Sequence, residues 1–229
     1  MTSSNSYNFN PALSEIVLAA YARIQLRRAA LTTEHFVDAG NEGNFLLAEW
    51  ASKQPLLWKS ELISLPLLQG IATYILDKQV VMLLLVYIET GSGTSTIDRV
   101  LGPLSTVEYA SVPNKTMQAT PTSYWFDRQI VPQLTFWQTP DGNGPYTAKL
   151  RAVTQVQDAT LPSGTTLDVP YRALDAFTAG LAYRLARIHA PDLEDKRKMD
   201  AMEAWNTFST GDVESVPFYI IPGLSAYRG

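Results

Sequence analysis

The sequence predicts an α+β fold, with a helical bundle built from N- and C-terminal segments, an inserted antiparallel β domain and an extended C-terminal arm. Three observations lead there. Apolar residues recur at helical spacing over residues 8–54 and again over 168–210. The stretch between them, 56–166, alternates apolar with polar residues and is punctuated by glycine and proline. Residues 211–229 then combine aromatic side chains with Pro217 and Pro222, a pattern that forbids a helix and limits strand pairing.

Asn10 and Pro11 suit an N-cap and first turn, and Leu13, Ile16, Val17, Ala20 and Ile24 follow as one apolar stripe. Leu31-Thr32-Thr33 ends that helix and Thr33 suits the cap of a second. Gly40-Asn41-Glu42-Gly43 predicts a break there, leaving two short helices, the later one from Asn44 to about Ser52 before Pro55.

In the middle zone, Trp58 to Leu65 alternates loosely. Val80 to Ile88 is nine apolar residues in a row, rich in β-branched side chains, and predicts a strand buried on both faces. It falls well short of the roughly 20 residues a membrane-spanning helix needs. Gly91-Ser92-Gly93 is a turn, with Ile97 to Leu101 as the return strand. Ser105 to Ala110 reads as a short helical turn. Tyr124–Phe126, Gln133–Gln138 and Tyr146–Val156 alternate again, and Pro140 to Pro145 is expected to join the last two as a hairpin loop.

Asp168-Val169-Pro170 starts the next helix, on which Leu174, Phe177, Leu181, Leu185 and Ile188 form the clearest amphipathic stripe in the chain. Pro191 ends it. A last helix runs from Asp192 to Phe208, acidic at its start as the helix dipole favours. Neither helical zone buries its stripe alone, so the two are expected to pack together with the β zone inserted between them.

Composition narrows the function. Charged residues make up 17% of the chain, below the roughly 25% of an average soluble domain, which points to surface covered by other protein. A net charge of −4 supplies no basic field for nucleic acid or anionic lipid. With no cysteine, disulfides, thiolate metal sites and cysteine nucleophiles are excluded. The polar start MTSSNSYNFN lacks a signal-peptide pattern, and a cytoplasmic, non-membrane protein is expected.

No nucleophile elbow, zinc-protease motif or phosphate loop is present. His35 and His189 lie near helix ends and read as structural, so no catalytic, cofactor-binding or metal-binding residue is assigned and no cofactor is expected. Glu61, Glu89, Asp98, Glu108, Asp127 and Asp141 include acids from which a glycosidase pair could be drawn, without a specific signal. Arg23, Arg27 and Arg28 cluster on the first helix, Arg23 and Arg27 on one face, and could meet phosphates. Arg184, Arg187 and Lys196-Arg197-Lys198 are interleaved with Asp192, Glu194 and Asp195, which reads as a solvated or protein-facing surface.

Read in order, the residues resemble the head-to-tail adaptor proteins of tailed bacteriophages. Asp38-Ala39, Asn44 to Trp50 and Leu57-Trp58 are similar to that family's "DA…LN.ML..W…LW" helices, with Asn44-Phe45 in place of leucine-asparagine. Ile97 to Leu101 and Ser105 to Lys115 resemble "L..IS..EYA..P.K". Thr120 to Trp125 resembles "G.PT.Y", and Phe136 to Asp141 resembles "L.LWP.P". Asp168-Val169-Pro170 with Ala179 to Ala186 resembles "D.P…W..AL..GLA..LA".

The likeness covers about residues 33–210 in consistent order. It implies a virion protein of the head–tail junction, assembled in the host bacterial cytoplasm as a ring, usually of twelve copies, beneath the portal. Such a ring completes the DNA-filled head and takes part in genome ejection. The helical segments 8–54 and 168–210 would form the ring, and the β zone would face a tail nozzle or hub protein. The arm would grip the portal protein through Val216, Phe218, Tyr219, Ile221, Leu224 and Tyr227. Arg23, Arg27 and Arg28 would meet the portal or, non-specifically, the exiting DNA. The competing reading is a tail-associated peptidoglycan hydrolase, or a glycan-binding module using Tyr124, Trp125 and Trp137.

Overall fold

In the computed structural model the described residues are 9–93, 95–159 and 166–212, and they form a mixed α+β structure. The first helix, α1, spans Leu13–Arg23 and begins two residues later than the sequence predicts. Ala12 occupies the cap position, and its N–H donates to the Glu15 carboxylate at 3.2 Å. The helix ends because Gln25 adopts a left-handed backbone, φ 67°, which turns the chain so that the Leu26 N–H reaches Tyr21 O.

The second helix, α2, runs unbroken over Thr33–Lys53, correcting the expected interruption at Gly40–Gly43. Two glycines cost a helix about 2 kcal/mol relative to alanine. Gly43 offsets this by close approach: a Cβ there would stand 3.3 Å from the Ala159 Cβ and 3.4 Å from the Phe177 ring. Tertiary packing overrides local propensity. Thr32, not Thr33, holds the cap, its N–H donating to His35 Nδ1 at 3.2 Å.

Among the described residues eight strands form two four-stranded sheets. The first contains β1 (Ser60–Leu67), β3 (Val80–Ser92), β4 (Ser95–Val100) and β8 (Tyr146–Thr154), in the order β1-β8-β3-β4 and antiparallel throughout. The second contains β2 (Thr73–Ile75), β5 (Gly102–Leu104), β6 (Ser123–Asp127) and β7 (Gln133–Trp137), in the order β2-β7-β6-β5. It is mixed, because β5 runs parallel to β6, so the inserted region is not purely antiparallel. A short helix, α3 (Thr106–Ser111), follows β5 and starts with a capping box between Ser105 and Glu108.

Two expectations about strands are corrected. The Pro140–Pro145 loop does not close a hairpin: β7 and β8 belong to different sheets, and the loop carries the chain between them. Nor is Val80–Ile88 buried on both faces. Register shifts between Val80 and Met82 and between Leu83 and Leu85 leave Val81 and Leu84 as unpaired residues of two bulges. Val80, Val86 and Ile88 are buried, whereas Val81, Leu84 and Leu85 are each about two-fifths exposed.

One hydrophobic cluster joins the inner faces of the two sheets through Val86, Ile88, Leu134, Phe136, Tyr146 and Leu150. A second joins the helices. It draws on Leu13, Val17 and Tyr21 of α1 and Leu46 and Trp50 of α2. To these it adds Phe177, Leu181 and Leu185 of α4 (Leu174–His189) and Phe208 of α5 (Glu194–Gly211). Helices α1, α2 and α5 all pack against α4. Ile188, placed on the buried stripe by spacing, is instead half exposed, in the last turn of α4. Among the described residues no helix is long and apolar enough to cross a membrane.

Candidate interaction surface

The helical termini bring the two histidines together. Their rings stack with centroids 4.6 Å apart and planes 21° from parallel. His35 Nδ1 accepts the Thr32 N–H, which puts the ring proton on Nε2. The Tyr21 hydroxyl donates to His35 O at 2.5 Å, and His189 Nε2 lies 3.2 Å from Asp38 Oδ2. Burial, and then Asp38, push the Tyr21 hydroxyl above its ordinary pKa. These contacts tie α1, α2 and α4 together. Among the described residues no group of three histidine, cysteine or carboxylate side chains could hold a metal ion.

The basic trio does not share a face. Arg23 ends α1 and pairs with Asp175 at 2.5 Å, tying α1 to α4. Arg27 lies in extended chain after the Gln25 turn, and Arg28 opens a short 3-10 turn. Both are exposed, and no carboxylate among the described residues lies within 4.0 Å of either. Of the arginines and lysines on α4 and α5, three meet carboxylates, while Lys196 and Lys198 meet none among the described residues. Arg184 bridges Glu42 at 3.0 Å and Glu49 at 2.6 Å, Arg187 meets Glu194 at 3.6 Å, and Arg197 meets Asp200 at 3.1 Å.

Of the six β-zone acids, only Glu89 and Asp98 face each other in register, across β3 and β4, and Glu89 also meets Lys149 at 3.6 Å. Glu108 is held below the ordinary carboxylate range by the Ser105 backbone N–H and hydroxyl at the start of α3. Asp141 is held low by the Tyr146 hydroxyl and then the Asn143 N–H, within a tight turn.

The three candidate aromatics do not form one platform. Tyr124 and Trp125 are consecutive on β6 and so point to opposite faces. Tyr124 is buried in the core. Trp125 stacks on Tyr109 at 4.8 Å, and Trp137 donates its indole N–H to Asn114 O at 3.2 Å.

The arm residues Val216, Phe218, Tyr219, Ile221, Leu224 and Tyr227 lie outside the described residues. The described chain ends at Asp212, on the wall of a cavity of about 770 Å³ that sequence reasoning missed. Leu57, Trp58, Leu84, Leu85, Arg151 and Arg172 share this wall. The Asp212 side chain is 2% exposed, and one of its oxygens accepts from Arg172. Among the described residues its other oxygen has no partner, and neither has the buried Trp58 indole N–H. Nothing in the sequence signals this site, because its walls come from five widely separated segments that only the topology gathers.

Compared with known proteins, the chain matches no family model and no curated sequence.

Proposed function

We propose that this protein is a structural head-to-tail adaptor of a tailed bacteriophage, a virion protein that assembles as a ring, on the order of a dodecamer, beneath the portal and completes the DNA-filled head. The observation that carries this is the order of elements. Helices α1 and α2 precede the two sheets, α4 and α5 follow them, and all four helices contribute to one hydrophobic cluster while the sheets share another. That arrangement fits a bundle of residues 8–54 and 168–210 as the ring-building part and residues 56–166 as the part turned toward a tail nozzle or hub.

The resemblance along residues 33–210 supplies the identity of the partners. Its glycine-leucine-alanine segment includes Gly180 of α4, where a Cβ would stand 2.9 Å from Leu46 of α2. In this reading residues 211–229 are an extended arm that grips the portal, with Phe218, Tyr219, Ile221 and Leu224 as anchors, since buried aromatic and aliphatic anchors dominate interface energy. Arg27 and Arg28, exposed and without a carboxylate partner among the described residues, are available to the portal or to exiting DNA. Low charge suits flanks that become subunit interfaces.

The test is size-exclusion chromatography with light scattering, on the protein alone and mixed with the portal ring of its own phage. A large co-eluting complex, lost when Val216 to Tyr227 are removed, is expected. A protein that ignores the portal sinks the reading.

A further inference from the structure

The exposed face of the first sheet is continuous with the cavity at Asp212. The β8 register places Leu62 of β1 and Leu85 of β3 on either side of Arg151, on the sheet face turned away from Leu150 and Val86. Leu85 and Arg151 also line the cavity. The same face continues along the strands to Tyr87 and, across from it on β4, to Val100, which is 64% exposed.

We infer that the cavity at Asp212 and the adjoining face of the first sheet form a peptide-binding groove whose occupant is residues 216–224 of the same chain. Three observations select this occupant. The described chain ends at the groove's own wall, so only Val213, Glu214 and Ser215 separate Asp212 from Val216. A linker that short holds the segment at an effective concentration on the order of millimolar, well above what a second copy supplies in dilute solution.

The aliphatic surface of Leu57, Leu84, Leu85 and Leu62 matches a segment that is apolar at nearly every position. Glu214, the first charge after Asp212, is opposite in sign to Arg151, which has no carboxylate among the described residues within 4.0 Å.

Reach is not limiting. Nine extended residues span about 30 Å, and a four-stranded sheet is about 15 Å wide. Phe218 and Tyr219 fall at the cavity mouth, and Ile221 and Leu224 continue toward Tyr87 and Val100. The groove therefore holds the arm in the free protein, which goes beyond the adaptor reading and concerns the isolated chain whatever its partner.

The absence of native cysteine makes the test direct. The full-length Leu85→Cys/Tyr219→Cys protein, mildly oxidised at micromolar concentration, is expected to form an intrachain disulfide in most molecules. A Val107→Cys/Tyr219→Cys control is expected to remain reduced. Equal reaction of the two pairs, or disulfide-linked dimers in place of the intrachain product, overturns the proposal, the dimers by assigning the groove to a neighbour's arm.

Hydrogen exchange on the unmodified full chain guards against misfolded variants. Amides of residues 216–224 should exchange at least tenfold more slowly than in a synthetic 213–229 peptide, and Leu85→Glu should abolish the difference. Equal rates in chain and peptide overturn the inference. No portal enters either measurement, so failure here is distinct from failure of the adaptor reading.

Discussion

Gly180 of α4 lies against Leu46 of α2 so closely that a Cβ at Gly180 would stand 2.9 Å from Leu46 Cδ2 and 3.0 Å from Cδ1. Both residues sit in the helical core, so the leucine has little room to withdraw. Gly180→Ala gains about 1 kcal/mol of helix propensity but overpacks the contact by about 1–3 kcal/mol. A net loss of about 1 kcal/mol, or about 2–4 °C in Tm, is expected by thermal denaturation. The loss should shrink in a Leu46→Val background; equal losses in both backgrounds would place the strain elsewhere.

The left-handed Gln25 offers the opposite change. A non-glycine residue at φ 67° pays a steric cost of about 1 kcal/mol that glycine avoids. Gln25 is exposed, so little packing is lost. Gln25→Gly is expected to stabilise the protein by about 0.5–1 kcal/mol in urea unfolding at an unchanged m-value. Destabilisation would show that the side chain matters more than the turn.

Glu49 makes stability depend on acidity. Burial acts to raise its pKa, but hydrogen bonds and charge from Lys53 and Arg184 outweigh burial and hold it below the ordinary 4.5. A carboxylate with a depressed folded-state pKa contributes stability that is whole above its unfolded value. That contribution is lost as pH falls through the folded value. Unfolding free energy should therefore decline below about pH 4.5. In Arg184→Ala the Glu49 share of that decline should be reduced, and stability at pH 7 should drop by about 2 kcal/mol through lost charge-assisted hydrogen bonds. An unchanged acid limb in the variant would assign the effect to other carboxylates.

His35 serves two roles that substitution separates. Its Nδ1 caps α2 through the Thr32 N–H, and its ring stacks on His189. Glutamine at that position keeps a capping acceptor, whereas alanine keeps neither role. His35→Ala should cost about 1–2 kcal/mol, and His35→Gln distinctly less, by chemical denaturation. Equal costs would mean that the stack, not the cap, holds the helix start.

Much of this fold was legible because its signals are local. Leu174, Phe177, Leu181 and Leu185 are spaced to share one helix face, and all four are buried. The turn at Gly91–Gly93 and the capping box at Ser105 each depend on adjacent residues. What escaped depends on distant ones. Gly43 survives inside α2 because Phe177 and Ala159 meet it, and no window around residue 43 contains them. The Pro140–Pro145 loop has hairpin chemistry, yet the strands it joins find better partners in β1, β3, β2 and β6. The arginine cluster was adjacent in sequence but was dispersed by a single left-handed residue. The cavity at Asp212 had no local signature, since an orphan donor and an orphan acceptor exist only once Trp58 and Asp212 are enclosed.

The central place of α4 sets a schedule for synthesis. Both α1 and α2 bury their apolar faces against this helix, and it begins roughly 120 residues after α2 ends. At 5–20 residues per second, those faces stay unpartnered on the ribosome for on the order of ten seconds. Strands β1 to β8 are all made within that interval and have their own cluster to close. The nascent chain thus offers chaperones a β region able to settle early, while its leading helices remain adhesive until the last quarter of the protein is translated.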